Sequence, residues 1–384
     1  MITDAIHLPD DALLAAFTLR ETRRQEALAI CDTRYGAERI RISSYMENIG
    51  WPELFGFRME QFFADADFNF TQHLRQQIFW VDNVPDDGGL ATWIFPDVGM
   101  YWDMTLFGAE IRHSSIGVPE FLPHPIAEKA DLKRLGAFDF YTTGLMPKLI
   151  AKYQRMQARN RELYGGKFHL VFPSFHRGPL DIYVQLRGYE NFLDDVNERP
   201  EFLREALLLL AEERARFAQA RRQFLGEAAL PATTFVADDW VNIPFISPTI
   251  FRTFAQPVYA RIRELEGPVT GFHTCGRLEA VISDLLTVFP EMTGLDVSGW
   301  NDVLALDRAV DPHIDFGISF INTVTLSDDI DEQRAILKVI RAVGTRRKVG
   351  VCAQAIVKLY PTYDETIARL QRFIELARRE LQEA

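Results

Sequence analysis

The apolar positions at the N-terminus follow helical spacing. Leu13, Leu14, Phe17 and Leu19 are followed by a charged stretch, Arg20 to Glu26, so the pattern predicts a helix over 9–32, ended by Cys31. From about 40 to 115 the pattern is mixed and rich in aromatic residues. Trp51-Pro52-Glu53-Leu54-Phe55-Gly56 reads as a turn into a helix over 57–76, and two or three β-prone pieces are expected after it, at 78–81, 91–95 and 100–106. Pro85-Asp86-Asp87-Gly88-Gly89 is a turn between the first two. The stretch 124–165 is helical again.

A regular rhythm then sets in. Strands are predicted at 169–172, 233–236, 269–273, 294–297, 316–321 and 348–352. Helical segments follow them at 178–188, 191–195 and 199–226, then at 248–266, 277–289, 301–309, 327–343 and 362–383. Ser247 is a fitting N-cap and Pro248 a fitting first helical residue for the segment at 248. Strand and helix alternating in series mean a parallel sheet. Six such units, with room for two more strands between 40 and 115, predict a (β/α)8 TIM barrel. The chain is read as a single domain over 1–384, with 1–120 as an N-terminal helical and β elaboration. An open doubly wound sheet is the competing arrangement. No G-x-G-x-x-G follows any strand, and polar residues stand at several strand ends rather than at one switch point.

Composition narrows the class. With 384 residues, 47% hydrophobic and 12% aromatic, among them 29 phenylalanines, the chain can bury a large core. A net charge of −12 and the lack of any basic run beyond Arg346-Arg347-Lys348 exclude a nucleic-acid partner. Three cysteines, Cys31, Cys275 and Cys352, make no disulfide framework and fit a reducing compartment. The absence of a signal-like N-terminus and of an apolar run of about 20 residues predicts a cytoplasmic protein without a membrane partner.

Barrel chemistry sits at the C-terminal ends of the strands. Reading off those ends gives His176 and Arg177, then Asp238 and Asp239, His273 and Cys275, Asp296, Asn322 and finally Cys352. Residues two apart on a strand share a face, so His273 and Cys275 can reach one metal. With Cys352, two thiolates and an imidazole make a zinc set that leaves a fourth position for substrate or water. An aspartate after a strand is often a helix cap, but the next helix begins only near 248, so capping explains Asp238-Asp239 poorly. His176 and Arg177 are candidates to hold an anionic group, with a salt bridge at the barrel rim as the structural alternative. Asp296 and Asn322 are substrate-side candidates by position, with a rim hydrogen bond as the alternative for each. His113, His124, His169 and His313 have no evident partner and are read as structural or exposed.

At these residues the chain resembles the uroporphyrinogen decarboxylase superfamily. The resemblance covers about 120 to 383, and more loosely from 40. It is carried by Phe172-Pro-Ser-Phe-His-Arg-Gly-Pro179 with Gly188 and Pro200, by Val236-Ala-Asp-Asp-Trp240 with Ser247-Pro248, and by His273-Thr-Cys275-Gly276 with Cys352. Within it, the histidine and two widely spaced cysteines look like the zinc site of the corrinoid-dependent methyltransferases, such as the methylcobamide:coenzyme M methyltransferases. The N-terminal Arg-Gln-Ala-Gly-Arg-type motif with which true decarboxylases grip a tetrapyrrole is absent. The resemblance implies zinc on His273, Cys275 and Cys352, and an acceptor thiol held as thiolate. It also implies a methyl-corrinoid brought by a partner protein and a small-molecule methyl acceptor, with Asp239 or Asp238 near the reacting groups. Metal-free decarboxylation of an acidic substrate is the alternative, with Arg177 holding a carboxylate.

Overall fold

The structure, a computed structural model, describes residues 8–112, 120–121, 124–136, 138–227 and 233–383. His113 lies outside them. Its parallel strands are β1 (Arg41–Met46), β2 (Trp93–Ile94), β3 (His169–Leu170), β4 (Thr234–Ala237), β5 (Val269–His273), β6 (Gly294–Ser298), β7 (Asp315–Phe320) and β8 (Val349–Ile356). Each strand from β4 to β8 pairs with the next, β8 pairs with β1, and β2 pairs with β3. Arg177, shortly after β3, makes a parallel bridge to Ala237 of β4. This is the circular strand order of a (β/α)8 barrel. A separate antiparallel pair joins Ile111–Arg112 to Glu120–Phe121.

The junction of β1 with β2 differs from the others. No ladder joins these two strands among the described residues. Asp87 covers the edge of β1 instead. Its N–H donates to Ile42 O at 2.5 Å and its Oδ2 accepts from Ile42 N at 2.9 Å. Its other oxygen takes the buried guanidinium of Arg39 at 3.2 Å. An exposed strand edge invites pairing with another chain, and a loop residue that satisfies it removes that risk.

Alternation along the strands sorts the rest. Phe316, Ile318 and Phe320 of β7, and Val349, Val351 and Ala353 of β8, are buried against the surrounding helices. The positions between them, Gly317 and Ser319 or Gly350 and Cys352, turn to the barrel interior. The junction of β3 with β4 is short and is stapled by Arg214, which is fully buried. Its guanidinium reaches Glu266 at 2.7 Å, Arg177 O at 2.8 Å and Phe235 O at 2.7 Å. One cation thus ties a helix to two strand ends.

Four sequence expectations need correction. The stretch 124–165 is α-helical only over Met146–Tyr164, with a 3₁₀ turn at Lys129–Arg134 before it. The segment 78–81 lies inside the helix Ala66–Asn83, where Phe70, Leu74 and Ile78 recur every fourth residue on one buried face. The segment 100–106 forms the 3₁₀ helix Trp102–Phe107, buried throughout. Short apolar runs buried on all sides do not distinguish strand from helix. The helix expected from 277 starts only at Ile282, because the backbone of 276–278 is held by side chains of other loops. Among the described residues no helix is long and apolar enough to cross a membrane.

Candidate functional site

β4, β5 and β6 are neighbours in register, and this builds the site. Ala237 stands opposite His273, and His273 opposite Asp296. Asp239 follows Ala237 by two residues and Cys275 follows His273 by two, so all four functional side chains come off adjacent strand ends. The Asp238 N–H donates to His273 O at 2.9 Å, and the Cys275 N–H donates to Asp239 Oδ1 at 2.9 Å, carrying the pairing past the ends of both strands.

The loop after β5 is braced from several sides. The Thr274 hydroxyl is buried, donates to Val241 O at 3.0 Å and accepts from Gly276 N at 3.1 Å. Gly276 O accepts from Ser298 Oγ at 2.9 Å and Asn301 Nδ2 at 2.8 Å. A Cβ on Gly276 would stand 2.2 Å from the Cβ of Asn242 and 2.6 Å from its Cα, so only glycine lets the two loops meet here.

His273 Nε2 lies 3.5 Å from Cys275 Sγ and 3.4 Å from Asp239 Oδ1. One donor atom from each of these three residues fits within a span of 4.8 Å. A tetrahedral zinc at ordinary bond lengths separates a sulfur and a nitrogen donor by about 3.6 Å, and a nitrogen and an oxygen donor by about 3.3 Å. The donor set and its spacing therefore fit zinc. The other ring nitrogen, Nδ1, is 3.3 Å from Asp296 Oδ2. A carboxylate on the far side of a ligating imidazole fixes its tautomer and orientation.

The electrostatics agree. Burial opposes a charged imidazole at His273, but hydrogen bonds with Asp239, Asp296 and Cys275 override it and raise the ring to about 12. Burial likewise opposes the Asp239 carboxylate, and the bond and charge of His273 with the Cys275 N–H bring it down to about 2. The cluster is thus an excess of acceptors gathered around one place for a cation.

Cys352 is outside the three-residue group, with β6 and β7 between its strand and β5. Burial pushes its thiol up to about 11, a bond with Ser43 opposes this, and the charges of Asp86 and Asp296 add to it. Tyr45, near the end of β1, is raised by burial, then by Glu47, and also by the charges of Cys352, Cys275 and Asp296. Both cysteines therefore act on the same phenol, at one mouth.

The other candidates have different surroundings. Asp238 is fully buried and accepts from Tyr259 Oη at 2.8 Å and Leu180 N at 3.2 Å. Burial, then the charge of Asp181, raises its carboxyl well above the ordinary range. Arg177 forms the rim salt bridges that were its alternative reading, to Asp103 at 3.0 Å and Asp181 at 2.8 Å. Confinement, then the cations of Arg177 and Arg214, holds His176 down at about 4. Asn322 donates to Ala355 O at 2.9 Å, bracing a residue with φ of 57° near the end of β8. His124 bonds Gln185 O through Nδ1, and His313 bonds Asp311.

Asp239 and Asp296 were readable as positions at strand ends, but not as the two carboxylates that flank the His273 ring. The partners Asp103 and Tyr259 carry no local signal. Asp181 does, since it lies four residues after Arg177.

No curated protein matches the chain. Among solved structures, a methyltransferase from Methanosarcina mazei superposes with a TM-score of 0.59, at 14% identity, over 90% of this chain and 97% of that one. At that identity the likeness is one of fold. The family model described as uroporphyrinogen decarboxylase (URO-D) matches residues 93–321, more than half of the chain. The match runs from β2 past β7 and takes in Asp239, His273, Cys275 and Asp296, so the chain belongs to the uroporphyrinogen decarboxylase family.

Proposed function

We propose that the protein is a zinc-dependent methyltransferase that moves a methyl group between a corrinoid and a small-molecule acceptor such as a thiol. The observation that carries this reading is the His273, Cys275 and Asp239 group, whose spacing matches tetrahedral zinc. Cys352 is proposed as the further donor, reached from β8, three strands along the sheet from β5. Zinc there would hold an acceptor thiol as thiolate, the nucleophilic form. The chain's own residues prepare the place: Asp296 orients His273, and the Cys275 N–H fixes Asp239.

The methyl-corrinoid is proposed to arrive on a partner protein. Met100, Phe245, Trp300 and Leu359 are exposed in loops that follow β2, β4, β6 and β8, and exposed apolar side chains around one mouth suit a docking partner. Metal-free decarboxylation is less well supported, because Arg177 is already engaged by two carboxylates and has little charge to offer a substrate.

Metal content decides between them. Mass spectrometry on protein purified without a metal-binding tag is expected to give about one zinc per chain, lost in Cys275→Ser. Zinc-loaded protein should then methylate thiols from methylcobalamin. Absence of zinc in folded protein never exposed to chelator would overturn the reading.

A further inference from the structure

The β1–β2 junction, where the barrel lacks a ladder, holds a cavity of about 270 Å³. Its walls include Tyr45, Trp51, Trp80, Trp93 and Phe95. These rings lie in different planes: Trp51 and Trp80 meet at 71°, while Trp93 and Phe95 lie within 19° of parallel. Trp93 and Tyr45 are exposed at 53% and 44%, so the cavity has an aromatic lip open to solvent.

The polar lining is of one kind. No lysine or arginine is among the residues that line the cavity. Asp86 is, with its carboxylate held by Ser44, by Gly88 N at 3.0 Å and by Arg24 at 2.5 Å. His73 in the wall stands neutral, with Nε2 buried and unpartnered, and the Tyr45 phenol is raised by burial, so it too stays uncharged. Gln76, Gln77 and Asn48 complete the polar edge.

We infer that this cavity is a binding site for a small alkylated onium cation, a quaternary ammonium or sulfonium group. Aromatic faces from several directions attract such a cation through their quadrupoles, and a desolvated onium needs no hydrogen-bond partner. No basic residue lines the cavity, and the one carboxylate in its wall, Asp86, is matched by Arg24 behind it, so the attraction rests on the rings. The volume is below that of drug-sized sites, which suits an ion of choline or tetramethylammonium size. Tyr45 belongs to this wall, and its phenol also feels the charges of Cys352, Cys275 and Asp296. Binding itself requires no metal, so it is tested separately from methyl transfer.

The full chain is titrated with choline, with tetramethylammonium and with 3,3-dimethylbutan-1-ol, the uncharged carbon analogue of choline. Calorimetry and tryptophan fluorescence are read together, since three tryptophans line the site. Saturable binding of the cations is expected, with the neutral analogue weaker by roughly tenfold or more. Trp93→Leu removes an exposed wall and Gly89→Leu adds bulk where a Cβ meets nothing within 4 Å, so both variants are expected to fold. Each should weaken cation binding by roughly tenfold at an unchanged melting temperature. No saturable signal from either cation up to roughly 10 mM would overturn the inference. Equal binding of the neutral analogue would do the same, and so would cation binding that both variants leave intact.

Discussion

Two histidines in two regions of this barrel have opposite charge states. His273 stands in the arc from β4 to β8, where every strand is laddered to the next, and its neighbours are Asp239, Asp296 and Cys275. Although burial opposes it, the ring is raised to about 12. His73 stands at the unladdered β1–β2 seam, against the rings of Phe62 and Phe95. Burial, then the charge of Lys152, lowers it to about 3. Both rings lose water. What separates them is whether the fold supplies acceptors in its place. A continuous ladder fixes register and so can aim carboxylates from adjacent strands at one point. A seam without a ladder has side chains for walls, and here those walls are aromatic.

The largest expected effects come from breaking the arc. Cys275→Ser replaces a soft donor, and metal affinity should fall by on the order of a hundredfold or more, measured by competition with a chromophoric chelator. Asp296→Asn leaves all three donors in place and should cost about ten- to a hundredfold through loss of the orienting carboxylate. Gly317→Ala sharpens the point. Its Cβ would stand 2.5 Å from Asp296 Oδ1, so the carboxylate must swing away from His273. An affinity loss like that of Asp296→Asn, at nearly unchanged stability, is expected. Full retention of affinity in both variants would show that Asp296 does not orient the ring.

The same contrast governs what could be read in advance. In the arc, strands such as Phe316–Phe320 alternate apolar and small or polar residues, and helices separate them at regular intervals, so its five strand–helix units were legible. The motif His273-Thr-Cys275-Gly276 was legible for the same reason, since period 2 on a strand is a local rule. The approach of Asp239 to the ring was not. Asp239 lies two residues past β4, and only the register of β4 against β5 brings it to His273. At the seam, β1 reads Arg-Ile-Ser-Ser-Tyr-Met and does not announce itself, while β2, only two residues long, falls inside the β-prone piece expected at 91–95. The buried run 78–81 passed for a strand because its helical face became evident only with Phe70 and Leu74.

A pH experiment breaks the comparison from the other side. The His73 ring titrates near 3 in the folded protein and at 6.5 when unperturbed. Above 6.5 it is neutral folded or unfolded. Between 6.5 and 3 the unfolded chain takes up a proton that the folded one refuses, so stability should fall with pH across that window. Urea midpoints read by tryptophan fluorescence should drop accordingly. His73→Phe keeps an aromatic ring without the titration, and its midpoint should fall less. Parallel curves for wild type and variant would mean that His73 does not carry the acid sensitivity.

The smallest expected effect separates bracing from chemistry at the mouth. Asn322 ends β7 much as Asp239 ends β4, but its amide donates to the carbonyl of Ala355 rather than toward the donor cluster. Ala355 has φ of 57°, in the region that side chains disfavour, and it lies where the register of β1 against β8 shifts. Asn322→Ala removes one hydrogen bond from that turn and should lower stability by about 1 kcal/mol. Zinc content and affinity should stay unchanged, because no donor moves. A large loss of acceptor binding at unchanged stability would instead return Asn322 to the substrate side. The two outcomes are distinguishable because a brace acts on the melting temperature and a substrate contact on KM.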